Sequence, residues 1–139
     1  MSEALYHKAL VERARNAFGK GRLPDATSSA TVDNPLCGDR VTLDLSIKDG
    51  CIAEIAHHVR GCLLCEAAAA TIAEYCRGSG KEELDAISAA ARRLMAEGGA
   101  PEAGWECLEI FRPAHQAKSR RDCVLLPFEA LKRAASAAF

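Results

Sequence analysis

Cysteine occurs at seven positions in this chain, and three of them fall where one kind of element gives way to another. Cys37 stands in NPLCGDRVTL, just ahead of a strand. Cys62 follows Gly61 at the junction between a second strand and an alanine-rich helix, and Cys123 lies at or just before the start of the last helix. A thiol at a helix N-terminus faces backbone N–H groups that lack intrahelical partners, together with the positive end of the helix dipole. Both favour the thiolate, the form that binds metals and attacks sulfur. Cys62 has that setting, and Cys123 shares it if its helix begins there. Asp39 follows Cys37 by two residues; in an extended loop such neighbours point to the same side, so its carboxylate can close the site as a fourth ligand. Three thiolates and one oxygen suit tetrahedral zinc or iron. An aspartate before a strand is equally readable as a turn residue.

The remaining candidates carry less chemistry. Cys51, Cys76 and Cys107 each lie within an element and read as buried small hydrophobes. His57 shares the phase of Ile55 and reads as a core histidine, His58 as a solvated one, and His115 as a loop residue close in sequence to Cys123. Cys62-Leu-Leu-Cys65 is a CxxC at a strand-to-helix junction, the local setting of thiol–disulfide oxidoreductases. The chain lacks the βαβ pattern that normally accompanies that motif. A structural zinc domain is the other rival.

Acids and bases nearly balance, 19 against 18, leaving a net charge of −1. That argues against a surface built to neutralise nucleic-acid phosphates. MSEALYHKALVERARNAF is charged throughout and contains no run that reads as a signal peptide or membrane span, so no membrane partner and a cytoplasmic location are expected. In a reducing compartment an odd, high number of thiols points to ligands or reactive groups rather than disulfides. The length suits one domain over residues 1–139.

The elements that must position these residues follow from periodicity. Leu5, Leu10, Val11, Ala14, Ala17 and Phe18 recur at helical spacing between Ser2 and Phe18, and Gly19 and Gly21 supply the stop. Residues 22–36 read as a long connection with room for a short edge strand. VTLDLSI alternates apolar and polar residues, Asp49-Gly50 makes a tight turn, and CIAEIAHHV returns as the second strand, ending at Gly61. LLCEAAAATIAEYCR predicts a buried helix. Ser79 and Glu82 form a capping box for the next helix, which carries Leu84, Ile87, Ala91, Leu94 and Met95 on one stripe and closes at Gly98-Gly99. A short amphipathic piece around Trp105, Leu108 and Phe111 should end at Pro113. HQAKSRRD reads as a basic loop, and a last helix spans about Cys123 to Ala138, with Pro127 making its first turn irregular.

NPLCGDRVTLDLSIKDGCIAEI, RGCLLCEAAAATIAEYCRG and RRDCVLLPFEALKRA together resemble the SufU, IscU and NifU N-terminal family of iron–sulfur cluster assembly proteins, from about Asn34 to Ala134. The resemblance implies an α+β fold, a small antiparallel β-sheet packed against a layer of helices. It also implies a site of Cys37, Asp39, Cys62 and Cys123. The GDR tripeptide and the roughly 60 residues between Cys62 and Cys123 tilt it towards the SufU-like branch. That branch is implied to bind zinc and to accept persulfide sulfur from a pyridoxal-phosphate cysteine desulfurase. The IscU branch is implied to assemble a transient [2Fe-2S] cluster for acceptor apoproteins. Among the ligands, Cys37, on a loop beside glycine, is the expected sulfur acceptor, and Cys123 the second candidate.

Two positions depart from the family pattern. Asp122 replaces a histidine or basic residue and puts a negative charge beside Cys123, which would raise that thiol's pKa. Cys65 is an extra thiol one helical turn from Cys62: a substitute ligand, a group that resolves a persulfide, or a bystander.

Overall fold

Asp49 and Gly50 both take the left-handed conformation (φ 53° and 75°), the geometry of a two-residue hairpin turn. They fold β2 (Asp39–Lys48) back onto β3 (Cys51–Arg60). The structure, a computed structural model, describes residues 2–16 and 18–139; Ala17, counted in the expected first helix, lies outside the described residues. The edge strand hidden in the long connection is β1 (Ser28–Asn34), antiparallel to β2, so the sheet order is β1-β2-β3. Alternation puts Val32, Val41, Leu43, Leu45 and Ile55 on one buried face, and Asp39 falls in phase with them at the start of β2.

Two helices cover that face, α2 (Leu63–Tyr75) and α4 (Lys118–Ala138). Ala67, Ala68, Ala69 and Ala70 are all buried: over this turn the helix is wedged between sheet and helices, with room only for small side chains. Around this pair stand α1 (Glu3–Asn16), α3 (Lys81–Glu97) and a 3₁₀ segment, Glu106–Gln116. The result is the expected α+β architecture.

Several boundaries differ from the sequence reading. Gly80, not Ser79, caps α3, without a side-chain hydrogen bond. Ser79 is instead buried, its carbonyl accepting from Ile52 N–H at 2.9 Å. The 3₁₀ segment runs through Pro113, and α4 begins at Lys118 rather than near Cys123, so the basic loop is mostly helical. Pro127 sits inside α4 without breaking it. The segment after α1 also does something periodicity cannot reveal: Gly19 O accepts from His57 N–H at 2.9 Å and Gly21 N–H donates to His57 O at 2.8 Å, so it pairs with the outer edge of β3. Gly19 is required there, since a Cβ would lie 2.6 Å from that of Ala73.

On the opposite face of the sheet Asp44 is buried yet fully hydrogen-bonded. Its carboxylate accepts from Arg22 Nε at 2.7 Å, Ser29 Oγ at 2.6 Å and Leu23 N–H at 3.0 Å. Burial pushes its pKa up, but these donors outweigh burial and hold it below the ordinary carboxylate value. A depressed pKa contributes stability that is present above the unfolded value, near 4, and lost as pH falls through the folded one. Asp44→Ala should therefore cost about 2 kcal/mol in urea unfolding at neutral pH. Its deficit relative to wild type should shrink towards zero in acid.

Candidate metal centre

Four ligand atoms converge at one end of the sheet: a carboxylate oxygen of Asp39 and the Sγ atoms of Cys62, Cys65 and Cys123 all lie within 4.8 Å of one another. Asp39 comes from the first residue of β2, Cys62 and Cys65 from the start of α2, and Cys123 from α4. Asp39 Oδ2 is the hub, accepting hydrogen bonds from Cys65 and Cys123, each at 3.4 Å. Its position is fixed from behind by Gly61, where a Cβ would come within 2.8 Å of the Asp39 carboxyl carbon. The glycine that follows β3 is thus the gap into which the carboxylate fits.

Cys62 is the N-cap of α2 and is exposed, whereas Cys65, one turn on, is fully buried. The Cys62 pKa is lowered to about 6, first by the hydrogen bond from the Cys65 thiol and then, against the cost of burial, by the Cys65 backbone N–H, the Cys123 thiol and the Leu64 N–H. This is the helix N-terminal setting expected from the sequence. Cys65 is pushed up, chiefly because its thiol is the donor to Cys62, with burial and the Cys62 and Asp39 charges adding to it. Cys123 is also pushed up, by burial first and then by the same two neighbours.

Cys123 therefore does not have the advantage expected of it. It lies in the second turn of α4, past the unpaired N–H groups, because the helix starts at Lys118. The carboxylate of Asp122 is not the reason for the raised value: it pairs with Lys118 Nζ at 2.9 Å on the surface. Cys37 is the other departure. The loop before β2 is not extended but a turn over residues 35–38, closed by Gly38 N–H donating to Asn34 O at 2.8 Å, with Gly38 at φ +77°. That reversal separates the orientations of Cys37 and Asp39. Cys37 is left exposed, 4.0 Å from Asn34 O, and the structure does not bring it to the cluster; Cys65 stands there instead.

The remaining candidates lie elsewhere. His57 is buried with Nε2 2.7 Å from Phe18 O, and His115 Nδ1 is 2.6 Å from Met95 O. Cys51 opens β3 and Cys107 lies in the 3₁₀ segment, both half-buried, while Cys76 is the buried C-cap of α2, where burial pushes its pKa up to about 12. Sequence reasoning missed one participant altogether. Helix geometry assigns the Cys123 carbonyl to the N–H four residues on, but that residue is Pro127, which has none. The freed carbonyl accepts from the Cys65 thiol at 3.1 Å.

Three sulfurs and one oxygen at these separations fit a tetrahedral metal, whose bonds to sulfur are about 2.3 Å. The same arrangement places an exposed, proton-poor thiol over a buried, proton-rich one.

Residues 5–137 match the model of the NifU-like N terminal domain family. Curated relatives include the iron-sulfur cluster assembly scaffold protein IscU of Thermotoga maritima, 25% identical over 94% of this chain and 92% of the relative. IscU 1 of Archaeoglobus fulgidus is 30% identical over 76% of this chain and 69% of its own. The fold matches the crystal structure of the N-terminal part of a nitrogen-fixing NifU-like protein from Brucella abortus, with a TM-score of 0.88 and 32% identity over 99% of this chain and 97% of that one. A putative iron-sulfur cluster assembly scaffold protein for the SUF system, from Fervidobacterium islandicum, matches in fold with a TM-score of 0.85 at 22% identity, over 97% of this chain and 99% of its own.

The unequal thiols generate a direct expectation for the metal-free, reduced protein. At pH 7 iodoacetamide should modify Cys62 far faster than Cys65 or Cys123, and the Cys62 rate should fall as pH drops through about 6. Peptide mass spectrometry of timed reactions measures each rate, and equal rates at the three sites would overturn the assignment.

Proposed function

Because the chain belongs to the NifU-like N-terminal domain family, we propose that it works in iron–sulfur cluster assembly and binds its cargo at the sulfur-rich end of the sheet. The observation that carries this reading is the four-atom convergence of Asp39, Cys62, Cys65 and Cys123. Zinc or iron, or a nascent [2Fe-2S] cluster, is what those donors would hold. The curated relatives named as scaffolds support the same class of work.

Each residue has a part in that proposal. Cys62, at the mouth, presents sulfur to incoming metal with little proton to displace. Cys65 and Cys123 supply the inner sulfurs and must give up their protons to bind, which makes tight binding favour higher pH. Asp39 contributes a hard oxygen, which holds a thiophilic cluster less firmly than a fourth thiolate would, so the cargo can depart to an acceptor apoprotein. Cys37 is the proposed acceptor of persulfide sulfur from a pyridoxal-phosphate cysteine desulfurase. It is exposed on a turn beside Gly38, where a partner protein can reach it, and the chain leads from it directly to Asp39. Cys123, buried at 8% exposure, is the second candidate and would need α4 to yield before a partner could reach it.

Elemental analysis of protein purified without added metal tests the reading. About one zinc or iron per chain is expected. Serine at Cys62, Cys65 or Cys123 should lower metal content severalfold, while Cys37→Ser should keep metal and lose persulfide labelling by a desulfurase with cysteine. Metal content unchanged in all three cluster variants would remove the site. In the same preparations, a cluster assembled on Asp39→Ala should transfer more slowly to an acceptor, and equal or faster transfer would count against the oxygen's role.

A further inference from the structure

The sulfur that a desulfurase delivers is sulfane sulfur, whereas the sulfur in an iron–sulfur cluster is sulfide, richer by two electrons. Something must supply those electrons. We propose that Cys62 and Cys65 supply them: the pair is a sulfide-releasing dithiol built into the site, an activity that rests on the cluster-assembly reading and extends it.

The geometry that points to this is the inequality of the two thiols. Cys62 caps α2 at the surface, where persulfide sulfur can arrive, directly from a small-molecule donor or, when a desulfurase delivers it, relayed from Cys37. Cys65 lies one helical turn on and is fully buried, with its Sγ within 4.8 Å of that of Cys62. Such an i, i+3 pair at a helix start can close into a disulfide with little change in the backbone. Besides Cys62, the single Cys65 thiol proton has two acceptors within reach, Asp39 Oδ2 at 3.4 Å and the Cys123 carbonyl at 3.1 Å. The second of these exists because Pro127 donates no backbone hydrogen bond.

The step balances as follows. Sulfane sulfur is carried as the persulfide of Cys62. The Cys65 sulfur attacks the inner sulfur, Cys62 Sγ, forming the Cys62–Cys65 disulfide as the persulfide S–S bond breaks. The outer sulfur leaves as hydrosulfide, and the Cys65 proton, passed through Asp39 Oδ2, leaves with it as hydrogen sulfide. The outer sulfur gains two electrons, and the two cysteine sulfurs lose one each. A dithiol reductant from outside restores the pair by thiol–disulfide exchange. Metal on the same thiols and a disulfide between them exclude one another, so release belongs to the metal-free state.

The test uses the full-length protein, reduced and stripped of metal, loaded with one equivalent of glutathione persulfide; the glutathione that the transfer leaves behind is removed by rapid desalting, and no other reductant is present. Released sulfide and the cysteine linkages are followed together, by a sulfide assay and peptide mass spectrometry. Wild type should release about one sulfide per chain in step with a Cys62–Cys65 disulfide. Cys65→Ser should hold persulfide on Cys62 and release sulfide at least about tenfold more slowly. Sulfide release from Cys65→Ser at the wild-type rate would overturn the proposal. So would release from wild type without the Cys62–Cys65 linkage, a criterion that does not depend on the variant folding. Metal content measured on the same batches before stripping separates the outcomes: a protein that binds metal but forms no such disulfide loses only this activity, not the cluster-assembly reading.

Discussion

One carboxylate ties the sulfur end of the molecule together. Asp39 enters β2 on the sheet's buried face and accepts hydrogen bonds from thiols on both covering helices, one on α2 and one on α4. Buried carboxylates are costly unless satisfied, and here the partners that satisfy it are potential ligands. Gly61 leaves it the space, the β2–β3 pairing sets its height, and the small side chains of α2 let that helix approach closely enough to offer Cys65. Sheet, helix and turn are arranged around the same pair of oxygen atoms.

Much of this was legible in the residues. The Asp-Gly turn, the alternation in VTLDLSI and the alanine run announce a hairpin followed by a buried helix, and the placement of Cys62 at that helix's start follows directly. Its lowered pKa owes most to the Cys65 thiol beside it, and the N–H groups of that helix start add to the effect. The sequence also points to Asp39 and Cys123, which the structure brings together with Cys62, but its reason for Cys123 fails: α4 begins five residues earlier than periodicity suggests, because Lys118-Ser-Arg-Arg-Asp has adequate helix propensity and a helical i, i+4 pair between Lys118 and Asp122.

What the sequence concealed depends on backbone torsion and on contacts between distant residues. The same-side argument for Cys37 and Asp39 assumes extended chain, and the positive φ of Gly38 breaks it. Cys65 was visible as an extra thiol, but nothing local separates a ligand from a bystander; only the arrival of Asp39 and Cys123 from elsewhere does. By sequence alone Pro127 is a disturbance to helix geometry. Its effect instead is to release a carbonyl on α4 for use by a side chain of α2.

The cluster joins a residue near the end of the first third of the chain to one near its end, from Asp39 to Cys123. No shorter piece of the polypeptide contains it, and an unfolded chain cannot preserve it. Whatever binds all four donors prefers the folded state and adds to its stability by mass action. A carrier of this design therefore becomes a softer molecule each time it surrenders its load. Between deliveries α2 and α4 are held together at this end by packing and thiol hydrogen bonds alone, and local opening there is cheapest when the site is ready to be filled again.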